Sequence, residues 1–97
     1  DDGAEPLMLL GLLAYNFHNL FRAKEMMTEG ADVREVAKVV RLPYKQKEAF
    51  LRTARKTERK KLQWIIRRLA ETDLAIKTSI ATPRLQIEML VCELVRS

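Results

Sequence analysis

Apolar residues recur at Leu9, Leu10, Leu13, Ala14, Phe17, Leu20, Phe21 and Met27, a spacing of threes and fours that belongs to a helix and not to the two-residue alternation of a strand. The stripe begins behind Pro6, suited to a first helical position, with Glu5 favourable to the helix dipole. It ends before Gly30, which adopts the left-handed conformation of a helix C′ residue without a Cβ penalty. A first helix is therefore predicted over 6–29. Its stripe fills nearly half the helical circumference, wider than one neighbour requires, so this helix is expected to be central.

Asp32 and Glu35 stand at capping-box spacing, and Val33, Val36, Ala37 and Val40 follow as a short apolar stripe, which predicts a second helix over 32–41. Leu42-Pro43 ends it, because the residue before a proline is pushed out of the helical region. Pro43 then opens a third helix carrying Tyr44, Phe50, Leu51 and Ala54. Two short helices with Lys45, Gln46 and Lys47 on the second also fit a helix-turn-helix that reads DNA. Equally, such pairs are common packing units.

A fourth helix is predicted from near Thr57, with Leu62, Ile65, Ile66, Leu69, Ile76 and Ile80 in a 3.6-residue pattern. Arg59, Lys60 and Lys61 fall in its first turn, where the dipole disfavours each cation by about 0.3–1 kcal/mol at low salt. An anionic ligand would offset that. With Leu62 at zero, Trp64 falls at about 200°, away from the stripe. It either packs on another helix of the domain or anchors a second chain. Asp73 falls at about 20°, inside the stripe, where Lys77 four residues on is in the favoured order for a structural ion pair. Thr82 and Pro83 announce a fifth helix carrying Leu85, Ile87, Met89, Leu90, Val91, Cys92, Leu94 and Val95. It is apolar nearly all round, so one side needs cover from outside the domain. Trp64, Ile87, Leu90, Val91 and Leu94 are the predicted interface residues.

Ninety-seven residues, 47% hydrophobic and 32% charged with 3 Gly and 3 Pro, make one compact all-α domain of about five helices and leave no turn chemistry for many short strands. The net charge of +5 is uneven: residues 52–68 hold eight bases against Glu58, a net +7, and the rest of the chain sums to −2. That segment is either a solvated helix face or a contact for an anionic partner, with Arg59, Lys60, Lys61, Arg67 and Arg68 as candidate nucleic-acid contacts. One cysteine, Cys92, and one histidine, His18, exclude a disulfide framework and a Cys-based zinc site. The apolar stretch 7–15 is too short to span a bilayer, and Asp1, Asp2 and Glu5 occupy the place of a positive n-region. No phosphate loop, dinucleotide fingerprint, HExxH or calcium loop occurs. No catalytic residue, cofactor or metal is expected, and the cytoplasm is the expected compartment. The chain starts without Met and reads as a piece of a longer protein.

The run ETDLAIKTS (71–79), with LLAYNFHNLFRAKEM (12–26) and RLPYKQKEAFLRTAR (41–55) before it, resembles the C-terminal domain of the bacterial DNA polymerase III delta subunit. R-R-L-A-E followed by D-L-A-I-K-T carries the similarity most specifically, while Thr57 and Ser79 depart from the family pattern. The resemblance implies a collar domain that joins the other clamp-loader subunits into a hetero-oligomer. Contacts to the sliding clamp and primed DNA then belong to the full-length chain, whose N-terminal domains lie outside this sequence. ATP hydrolysis belongs to the other subunits.

Overall fold

A computed structural model describes residues 4–41, 44–78 and 82–96, excepting the side chains of Ala4 and Tyr44. Leu42, Pro43, Ser79 and Ile80, on which expectations above fell, lie outside the described residues. Five helices appear, α1 (Ala4–Thr28), α2 (Val33–Val40), α3 (Lys47–Lys56), α4 (Arg59–Lys77) and α5 (Pro83–Arg96), with a 3₁₀ turn at Tyr44–Gln46. There is no strand among the described residues.

The 25-residue α1 is about 37 Å long and runs along a molecule measuring 43 × 25 × 19 Å. It touches each of the other four helices, as its wide stripe predicts. Its N-terminal half carries Leu10 into one cluster with Ile65, Leu69, Ile76, Ile87 and Leu90. Its C-terminal half carries Ala23 into a second cluster with Val36, Val40, Leu51 and Ala54. The molecule thus has an α4–α5 end and an α2–α3 end, both built on α1.

The turn from α1 to α2 follows from its sequence. Gly30 has φ +95°, its N–H donates to Met27 O at 3.1 Å and the Ala31 N–H donates to Met26 O at 2.9 Å, the paired bonds of a Schellman motif. A side chain at Gly30 would cost about 1–2 kcal/mol in that conformation. Asp32 then caps α2, its Oδ1 accepting from the Glu35 N–H at 2.9 Å while Glu35 Oε1 accepts from the Asp32 N–H. At the far end Arg41 takes a left-handed conformation with φ 49°.

Helix α1 already includes Ala4 and Glu5, so Pro6 lies within its first turn and not at its first position, and two further boundaries differ from expectation. The 3₁₀ turn precedes α3, so Lys45 and Gln46 lie ahead of that helix and only Lys47 belongs to it. Helix α4 begins two residues after Thr57, because Thr57 closes α3: its N–H and hydroxyl both donate to Thr53 O, at 3.0 and 2.8 Å. Lys24 Nζ also donates to Arg55 O at 2.9 Å, giving a late α3 carbonyl a partner from α1.

Candidate functional site

The five predicted interface residues separate by which side of α5 and α4 they occupy. Ile87 and Leu90 face inward and are buried in the domain's own core, which corrects their placement at an interface: an all-apolar helix has an inner side, and these residues form it. Leu94 and Trp64 are half-buried and pack against that same cluster. Trp64 thus packs partly on its own domain and keeps the rest of its ring surface outward. Only Val91 stands exposed.

The outer side of α5 carries Leu85, Met89, Val91 and Val95, with Val95 81% exposed, and Cys92 lies exposed among them. A second outward stripe, not anticipated, runs along α1. Met8, Leu12 and Tyr15 are 70%, 59% and 60% exposed and sit at i, i+4, i+7, a single line on the helix opposite buried Leu10. That spacing was available in the sequence, but the inner stripe of the same helix masked it. Leu9 and Ile87 line one groove of about 530 Å³ between the first turns of α1 and α5, so these two helices lie side by side.

The basic residues of α4 do not form one patch. Arg59 pairs with Glu25 and lies over the Phe21 ring, 5.8 Å from its centroid. An acid from α1 thus relieves part of the dipole cost at the start of α4. Arg68 donates through Nε to Glu93 Oε2 at 2.6 Å, through Nη2 to Glu93 Oε1 at 3.0 Å, and through Nη1 to Glu71 Oε1 at 2.9 Å. With both carboxylates already on its guanidinium, Arg68 is a strut between α4 and α5, and its assignment as a nucleic-acid contact is corrected. Lys60 and Arg67 are exposed on the outward side of α4, and Lys61 is exposed on a different arc of the same helix.

The hydrogen bond from Arg68 holds the Glu93 carboxyl below the usual glutamate range, and the bonds to Glu93 and Glu71 raise the Arg68 guanidinium. Because the acid is depressed in the folded state, its stabilisation is present above the unfolded-state value and is lost as pH falls through the folded one. Glu93→Gln is therefore expected to melt lower than the unmodified chain at neutral pH. In acid, below the carboxylate range, the two melting curves should converge. A gap unchanged with pH would show that the pair contributes through packing alone.

Asp73 is half-exposed, and Lys77 Nζ lies 2.8 Å from its Oδ2. The buried residues of α4 are Leu62, Ile65, Leu69, Thr72 and Ile76, so the inner face centres on Ile65, Leu69 and Thr72 and leaves Asp73 at its edge. Thr72 occupies the core instead, its hydroxyl donating to Arg68 O at 2.8 Å. His18 is exposed on α1.

Among the described residues there is no group of three metal-ligating side chains, and no helix is long and apolar enough to cross a membrane. The fold is that of a small all-α domain. The chain belongs to the family of the DNA polymerase III delta subunit, C-terminal domain, whose model matches residues 1–94. Among curated proteins and among solved structures, nothing matches the chain.

Proposed function

We propose that this domain is the collar of a clamp-loader delta subunit, the part through which the chain joins the other loader subunits. In that assembly it supports loading of the sliding clamp onto primed DNA in bacterial replication, as a non-catalytic part of the polymerase III holoenzyme in the cytoplasm. The observation that carries the reading is the pair of uncovered apolar stripes: Met8, Leu12 and Tyr15 on α1, and Leu85, Met89, Val91 and Val95 on α5. No other described residue covers them, and exposed apolar patches of this kind mark protein interfaces. Met and Tyr are also enriched at such interfaces.

The test is association of the intact natural chain with purified ATP-hydrolysing loader subunits. The unmodified chain is expected to co-purify with them, and Leu12→Asp/Tyr15→Asp to bind about thirtyfold more weakly or worse, as loss of a central apolar anchor does. Undiminished association of that variant would remove α1 from the interface. Failure of the unmodified chain to associate would overturn the collar reading.

A further inference from the structure

The net positive charge has a place in the fold. Residues 32–57, which span α2, the 3₁₀ turn and α3, hold eight bases against three acids, a net +5, and the remainder of the chain sums to zero. Between α2 and α3 lies an open groove of about 670 Å³, lined by Lys45, Lys47, Arg52 and Arg55 together with Glu48 and, from α2, Val33. The four cations differ from Arg59 and Arg68 of α4. Arg59 and Arg68 are each paired with a carboxylate from another helix, Glu25 and Glu93, whereas no acid pairs with Lys45, Lys47, Arg52 or Arg55 among the described residues.

From this groove we infer a second binding surface, which takes the phosphodiester backbone of a nucleic acid. Lys45 to Arg55 spans about 16 Å along the 3₁₀ turn and α3, too far to converge on a single phosphate ion. A strand of B-form DNA presents one phosphate per about 3.4 Å of rise, so the row faces roughly five consecutive phosphates. An acidic peptide fits less well. Leu51 is buried, and among the described residues Val33 is the only apolar side chain the groove exposes, which leaves little there for the apolar anchors by which peptides dock. Arginine guanidinium groups match phosphate oxygens in bidentate fashion. Contacts of this sort position a strand without reading its sequence, which separates this surface from a base-reading helix-turn-helix.

The experiment titrates labelled oligonucleotides, single-stranded and duplex, with the intact natural chain at salt from about 50 to 200 mM. Lys47→Gln/Arg52→Gln/Arg55→Gln is expected to weaken binding at low salt tenfold or more. The slope of log K against log salt should become shallower by about 2 on single strands and about 3 on duplex. The loss should be the same for unrelated sequences, and Arg52→Gln alone should shift the slope by about 0.7–0.9. Lys60→Gln/Arg67→Gln, on the outward side of α4, should leave the slope unchanged, and all variants should retain helical circular dichroism. Association with the loader subunits should survive the triple substitution, so this proposal and the collar reading fail separately. An unchanged affinity and slope would overturn the inference. So would a loss confined to one sequence, or displacement of the strand by polyglutamate as readily as by unlabelled DNA.

Discussion

Leu90→Ala is expected to destabilise the domain by about 2–5 kcal/mol, the range for truncating a buried leucine where the surroundings relax only in part. Leu90 has no exposed surface and lies in the cluster where α1, α4 and α5 meet, beside Leu10, Ile65, Leu69, Ile76 and Ile87. Those neighbours come from three helices, and none can follow the missing atoms without moving its own backbone. For a domain of this size, each kcal/mol lowers the melting temperature by about 4–8 °C, so a loss of tens of degrees is the expected reading by circular dichroism. Urea unfolding should show a lower midpoint with an unchanged slope. A shift of only a few degrees would mean that α5 is held chiefly by the Arg68–Glu93 pair and not by its apolar side. The same burial changes the meaning of a charge at this position: an aspartate at Leu90 would abolish assembly by unfolding the domain, and would report nothing about the interface.

The features legible in the sequence are those decided within a few residues. Gly30 and the Asp32–Glu35 box specify the turn between α1 and α2 through bonds that span at most five positions, and Pro83 begins α5 as its place after Thr82 predicts. What a periodic pattern leaves open is which of several apolar sides meets a neighbour. On α5 the apolar residues surround the helix, and the choice of Ile87 and Leu90 as the inner side depends on α4 and α1 lying there. The same holds for Asp73: packing against both α1 and α5 rotates the buried arc of α4 toward Thr72 and away from the angle set by Leu62 alone. The partners of the basic residues were also beyond reach, because Glu25 and Glu93 approach Arg59 and Arg68 from other helices at sequence distances that no local rule relates. The groove between α2 and α3 shares that origin, since Val33 and Arg52 become neighbours only when both helices pack on α1.

The two ends of the molecule consequently present different chemistry. At the α4–α5 end, Arg68, Glu93 and Glu71 are joined in a strut, and two apolar stripes lie outward between exposed charges such as Arg67 and Glu88. At the α2–α3 end, a small cluster around Ala23, Val36 and Ala54 forms the core, and the groove outside it is lined chiefly by cations. Protein association and polyanion binding make opposite demands on a surface, dehydration in one case and retained charge in the other. On the two readings proposed above, a long α1 shared by two clusters would let one short chain satisfy both.

Val91→Asp/Val95→Asp is expected to do the reverse of Leu90→Ala. Both side chains are exposed, at 43% and 81%, and a charge there meets water in the isolated domain, so the melting temperature should stay within a few degrees of the unmodified chain. In the assembled loader the same positions would lie against a partner, where a carboxylate without a counter-charge is costly to bury. Binding to the loader subunits should fall by about thirtyfold or more. The comparison turns on one residue of sequence: position 90 points inward and position 91 outward, so substitution at the first is read by unfolding and at the second by association. If Val91→Asp/Val95→Asp assembles normally while Leu12→Asp/Tyr15→Asp does not, the partner covers α1 alone. If both assemble normally, the apolar stripes serve some other contact and the collar assignment loses its structural support.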